Sequence, residues 1–117
     1  MTPRAEREAK GRRGEWLAGW YLRLCGWRIV GRRVKTPRGE VDLVARRGRT
    51  VVFVEVKWRE RREDLALAID AWRLRRVVAA AEASAPRFVR NGETMRIDVI
   101  LLAPGCWPRH IANASLA

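Results

Sequence analysis

From Glu6 to Leu24 the chain sets Trp16, Leu17, Trp20, Tyr21 and Leu24 at i, i+1, i+4, i+5 and i+8. That spacing predicts an amphipathic helix with those residues turned inward, and Gly26 is placed to stop it. Trp27 to Val34 reads as a strand, and Thr36-Pro37-Arg38-Gly39 supplies the turn that ends it. A second strand is expected at Glu40–Arg46, a short loop at Arg47-Gly48-Arg49, and a third strand at Val51–Trp58, where the β-branched run is strongest. Arg59 to Asp64 then reads as a charged loop. The Ala- and Leu-rich stretch from Leu65 to Ser84 reads as a helix that should end before Pro86. Met95–Leu102 is a last strand, and from Ala103 a tail with two prolines shows no period.

The predicted order is αβββαβ. Hairpins make the first three strands antiparallel, while a helix between the third and fourth sets those two parallel. The expected fold is α/β with a mixed central sheet flanked by helices. At 117 residues the chain suits one domain over 1–117, with a core at about 11–102 and an irregular tail at 103–117. No apolar run is long enough to span a membrane, and the first residues carry alternating charge in place of an apolar leader. Cys25 and Cys106 form no CxxC pair, as a reduced cytoplasmic protein would allow.

Alternation along the third strand turns Val52, Val54, Val56 and Trp58 one way and Phe53, Glu55 and Lys57 the other. In the second strand Glu40 and Asp42 share a face, and Val41, Leu43 and Ala45 share the opposite one. Charges within such apolar strands cost several kcal/mol (~2–7) unless paired or bound to a cation. The plain reading is a solvated Glu55–Lys57 pair on a wet sheet face. A chemical reading follows if the register sets Asp42 opposite Glu55, which calls for a four-residue loop or an equivalent bulge. The two carboxylates would then lie ~5 Å apart. A hard divalent ion such as Mg²⁺ would relieve their repulsion. A one-residue slip would put them on opposite faces.

Charge sharpens that reading. With 25 Lys and Arg against 13 Asp and Glu, the net charge is +12, and residues 1–38 hold eleven of the basic residues. Such a chain attracts polyanions, nucleic acid foremost. Only three of the 25 are Lys, so compositional bias toward Arg also contributes. A membrane surface fits less well, because the basic residues are spread over several elements.

Asp42, twelve intervening residues, then Glu55-Val56-Lys57 resembles the PD-(D/E)xK nuclease signature. Gly14-Glu15 before the aromatic-rich helix, GEVDLVA, VVFVEVKWR and MRIDVI together resemble the YraN-like family, related to archaeal Holliday-junction resolvases, over about Gly11 to Leu102. The resemblance implies a restriction-endonuclease-like fold hydrolysing DNA, with branched or structured DNA as one substrate. Asp42, Glu55 and the main-chain carbonyl of Val56 would hold Mg²⁺ or Mn²⁺, and Lys57 would orient or activate the attacking water. It also implies that Glu15 joins the metal site, gives Glu40 the position of the Pro in the motif's name, and suggests a homodimer by analogy with resolvases. Arg12, Arg13, Arg32, Arg33, Lys35 and Arg38 are candidates for holding phosphates. The family often carries Asn where this chain has Arg32-Arg33, and Lys in the second helix where it has Arg73. The alternatives are a nucleic-acid-binding module on the same fold with little turnover, or an RNA- or ribosome-associated protein. Asp98, inside an apolar strand, is expected to make a core or sheet-edge hydrogen bond. His110 is expected at the surface, and Trp16, Trp20, Trp27 and Trp72 in the core. Trp58 is the aromatic worth testing for base stacking.

Overall fold

The computed structural model describes residues 3–58 and 71–114, with side chains over 12–58 and 74–114. The expected loop Arg59–Asp64, the helix start at Leu65, and the side chains of Trp72 and Arg73 lie outside the described residues. Helix α1 (Pro3–Leu24) leads into β1 (Arg28–Thr36), β2 (Gly39–Arg47) and β3 (Thr50–Trp58). Helix α2 (Ala71–Phe88), β4 (Thr94–Leu102) and β5 (Arg109–Ile111) follow. The five strands lie side by side in chain order. All neighbours are antiparallel except β3 and β4, as expected for strands separated by a helix. The α/β fold with a mixed sheet flanked by helices is therefore as read. One expectation is corrected: the tail is not wholly irregular, since Arg109–Ile111 pairs with Val99–Leu101 as β5.

The central strands are apolar on both faces because a helix covers each face. Leu43, Ala45, Val52, Val54 and Ile100 pack under α1, whereas Val44, Val51, Phe53 and Ile97 pack under Val77, Ala80 and Ala81 of α2. Phe53 is fully buried and meets Phe88 edge to face at 6.2 Å. That contact anchors the last turn of α2. The helix runs through Pro86 instead of ending before it, because a proline so near the C-terminus removes only one hydrogen bond.

Helix α1 sits differently from its expected orientation. The stripe against the sheet is Gly14, Ala18 and Leu22, with Leu17 and Tyr21 half-buried beside it. A β-carbon on Gly14 would lie 3.6 Å from Val56 and Leu102, so the small residue lets the helix approach the sheet closely. Trp16, Trp20 and Leu24 are 58%, 48% and 75% exposed, which corrects the core reading of the two tryptophans. Trp27 is buried as expected. Period alone could not choose between the stripes, since the small residues that pack closely carry little hydrophobic signal.

A second departure lies in β1 and β2. Val30 is an extra residue between Ile29 and Gly31, and Arg33 has φ +47, in the left-handed region. The register places Arg33 across from Asp42, between the pairs Arg32↔Leu43 and Val34↔Val41. At this step alternation fails in both strands: Val41 joins Val44 and Val34 on the α2 side, while Leu43 faces α1. Val41 therefore does not share the face of Leu43 and Ala45, because the local twist turns it over.

Candidate functional site

β2 and β3 pair from Arg47↔Thr50 to Leu43↔Val54 and no further. Yet β2 stays with β1 to Gly39, and β3 stays with β4 to Trp58. The sheet thus opens between its second and third strands, and Asp42 and Glu55 are the first residues past the fork. One further step of the same register would set them opposite each other. The expected four-residue loop is not needed. A two-residue turn, Gly48-Arg49 with Gly48 at φ +60, joins Arg47 to Thr50 and gives the same register with one more ladder pair.

In the fork, the side chain of Asp42 takes the place of a strand neighbour: its Oδ2 accepts the Val56 N–H at 2.8 Å. The Val56 group that meets Asp42 is thus its amide N–H, whereas the resemblance implied its carbonyl. Glu15, on the sheet-facing side of α1, reaches the opening, as does Glu40 from the start of β2. Carboxylate oxygens of Glu15, Glu40 and Asp42 all lie within 4.8 Å of one another. Glu40 is thus in the tightest cluster, while Glu55 stands beside it. Lys57 Nζ contacts Glu55 Oε1 at 2.6 Å.

Glu40, Asp42, Glu55 and Lys57 line a cavity of about 370 Å³ that is also bounded by Gly39 and, from α2, by Arg76 and Val77. Burial pushes the Asp42 carboxyl up to about 8. Glu55 and Glu15 add to that rise, against the opposing Val56 N–H and Lys57. A half-buried acid facing other carboxylates is the electrostatic counterpart of a cation site. The donors are all oxygens, the hard ligands that Mg²⁺ or Mn²⁺ take, with no thiol or imidazole among them. These residues fit such an ion.

The basic candidates are not gathered in one place. Arg33 Nε donates to Glu15 Oε2 at 2.8 Å, which draws Arg33 to the site's edge. Lys35 is the cross-strand partner of Glu40, and Arg38 occupies the exposed β1–β2 turn. The guanidinium of Arg32 lies across Gly19 of α1, 3.5 Å from where a β-carbon would stand. Arg12 and Arg13 are exposed on α1. Sequence reasoning missed Arg76, because a basic residue in an Arg-rich helix gives no sign of its direction until the sheet is in place.

Asp98 is fully buried and hydrogen-bonded, as expected. It accepts from Arg96 Nε and Nη2 at 2.9 and 2.7 Å and from Asn113 N–H at 2.9 Å. His110 is not a surface residue. Its Nε2 lies 2.6 Å from Asp98 Oδ2 and its Nδ1 3.1 Å from the Tyr21 hydroxyl, because β5 carries it inward. The irregular composition of the tail hid this role.

These features define an α/β protein of αβββαββ order whose carboxylate-lined site opens where two antiparallel strands part. The chain belongs to the family described as Uncharacterised protein family UPF0102, which matches residues 14–102. It is 66% identical to a UPF0102 protein of Sphingopyxis alaskensis over 110 residues, covering 94% of this chain and 95% of the relative. It is 63% identical to one of Erythrobacter litoralis over 107 residues, covering 92% of each. A third, from Rhizorhabdus wittichii, is 60% identical over 113 residues, covering 97% and 96%. The YraN-like resemblance drawn from the motifs agrees with this membership. No described helix is long and apolar enough to cross a membrane.

Proposed function

We propose that the cavity holds Mg²⁺ or Mn²⁺ and that the protein hydrolyses phosphodiester bonds of DNA, with branched or structured DNA among its substrates. The observation carrying this is the meeting of Glu15, Glu40 and Asp42 beside Glu55 and Lys57 in a fork of the sheet. Asp42 and Glu55 would hold the ion, with Glu15, Glu40 and the Val56 carbonyl as further oxygen donors. When bound, the ion supplies a water acidic enough to attack at neutral pH and a positive charge at the phosphoryl oxygens. Lys57 orients that water or a phosphate oxygen, its ammonium held in place by Glu55. Arg76 offers a planar, permanently charged donor fork to a phosphate from the α2 side. Glu15, meanwhile, is aimed by Arg33.

The test is cleavage of branched, single-stranded and duplex DNA with Mg²⁺ or Mn²⁺. Asp42→Ala and Lys57→Ala should each lower the rate by about 10²-fold or more. Activity that survives both substitutions would rule the site out.

One observation favours a second reading, in which the domain binds nucleic acid with little turnover. Glu15 and Glu55 are already paired with Arg33 and Lys57, so only part of the acidic charge is left for an ion. Metal-free binding that falls steeply with salt and is unchanged by Asp42→Ala would support this reading. Metal-stimulated cleavage would remove it.

A further inference from the structure

We infer that the exposed Arg-Trp face of α1, with the aromatic groove it borders, stacks the unpaired bases of a single-stranded segment that leads through the fork to the scissile phosphate. This rests on the phosphodiester-cleaving reading of the fork and adds the class of substrate. Arg12, Arg13, Trp16, Trp20, Arg23 and Leu24 are all exposed, and at 100° per residue they occupy one side of the helix. The buried Gly14, Ala18 and Leu22 occupy the other side. Trp16 and Trp20 meet edge to face at 6.2 Å, and the Arg23 guanidinium lies 5.7 Å from the Trp20 ring centre. Next to them is a groove of about 330 Å³ whose aromatic walls are Trp20, Tyr21, Trp58 and Trp107. Trp107 is 77% exposed.

Contiguous exposed apolar surface of this kind marks an interaction site. Three features select its occupant. Aromatic rings interleaved with guanidinium groups match a strand that presents base faces and phosphates in alternation, and a closed duplex hides those faces. A helix lying on a membrane separates its basic side from its apolar side, whereas here Arg and Trp share one side. Self-pairing through this face would bring Arg12, Arg13 and Arg23 against their own copies.

Continuity with the fork supplies the location. Trp58, at the groove wall, directly follows Lys57 in β3. Trp58 and Val56 also pack against Gly14, the residue before Glu15: a β-carbon there would lie 3.9 and 3.6 Å from them. Lys57 and Trp58 turn to opposite faces of the sheet, so the groove lies on the α1 face and the cavity on the α2 face. A nucleic-acid strand passes between them through the fork, where Glu15 of α1 meets Glu40 and Asp42.

The test uses the wild-type protein in chelator, so that neither metal nor cleavage enters the readout. Fluorescence anisotropy would compare labelled oligo-dT of about 15 nucleotides with an abasic strand of equal length and a duplex. Oligo-dT should bind about 10-fold more tightly than the abasic strand. Trp16→Ala and Trp107→Ala should each weaken oligo-dT binding about 5- to 10-fold while changing abasic and duplex binding less than about 2-fold, and Trp16→Tyr should restore most of the loss. Both tryptophans are largely exposed, so circular dichroism should match wild type. Equal affinity for abasic and base-bearing strands would overturn the inference. So would equal losses on all three probes, binding of anionic vesicles that competes with oligo-dT, or a shift to lower mass in sedimentation of the Trp variants. Failure of DNA cleavage alongside base-dependent binding would count against the fork reading alone.

Discussion

Two aspartates in this sheet are withdrawn from bulk water, and their surroundings push them in opposite directions. Asp98 in β4 accepts four hydrogen bonds, from Arg96, His110 and Asn113. Burial alone would raise its carboxyl, but these donors outweigh burial and hold it down at about 2. Asp42 in β2 receives one backbone N–H and faces Glu55 and Glu15, so burial and repulsion lift it to about 8. The first group is complete as it stands. The second, with only the Val56 N–H and Lys57 favouring its anion, would be stabilised further by a bound cation. In an apolar sheet, the number of donors around a carboxylate separates a structural acid from a candidate functional one.

The most drastic way to probe the contrast is to delete the complete group. Asp98→Ala leaves Arg96 and His110 without their acceptor and should cost about 3–5 kcal/mol in urea unfolding. Because the carboxyl of Asp98 is depressed, its contribution is present above pH about 4 and is lost as pH falls toward 2. A loss below 1 kcal/mol would mean that Asp98 is as dispensable to the fold as Asp42 should be.

Asp42 carries the opposite sign. Its folded value lies above that of the unfolded chain, so its contribution is fully present below pH about 4 and is lost as pH rises through about 8. Four units at about 1.4 kcal/mol each set the limit, and the solvent-open cavity reduces the effect to about 2 kcal/mol. Metal-free protein should therefore lose stability between pH 5 and 8, whereas Asp42→Asn should flatten the slope and be the more stable form at pH 8. Added Mn²⁺ should raise the melting temperature at pH 8 more than at pH 5, and only with Asp42 present. Thermal unfolding across that range checks both points. A flat wild-type profile would remove the electrostatic case for a cation.

A smaller effect is expected at the contact linking β5 to this network. His110→Ala removes one of the four donors to Asp98 and should cost about 1 kcal/mol by the same unfolding assay, leaving metal-dependent melting shifts untouched. If those shifts changed, the two aspartates would be coupled through the sheet and could not be treated as independent sites.

How much of this was legible beforehand follows from what each signal encodes. The register that brings Asp42 toward Glu55 was legible only as a condition, because alternation puts the two on one face for an even loop but does not fix the loop. The mixed sheet followed from the position of the second helix. The orientation of α1 was not readable: hydrophobic size drew attention to Trp16 and Trp20, while close approach selected Gly14 and Ala18. Nor was the break of alternation at Arg33 and Asp42, since a left-handed residue within a strand leaves no mark in a hydrophobic pattern. Yet that break swings Val41 to the α2 face and leaves Asp42 at the fork. His110 was misjudged because it is placed by its strand partner Ile100, not by its own neighbours in sequence.

The smallest effect is expected at Arg33, where strain and charge oppose each other. A φ of +47 is costly for Arg and tolerated well by Asn, whose short side chain can bond locally. The pair with Glu15 is partly exposed, Arg33 at 43%, and is worth at most about 1 kcal/mol. Replacing Arg33 by Asn thus trades a weak ion pair for about 1 kcal/mol of backbone relief, and the net change in stability should be a few tenths of a kcal/mol in either direction. Metal affinity should respond more clearly. With Arg33 gone, Glu15 loses its ion-pair partner beside Glu40 and Asp42, so the Mn²⁺ concentration needed for half of the melting shift should fall about 2- to 5-fold. An unchanged concentration would mean that Glu15 stands apart from the ion and that the site is formed by the two strands alone.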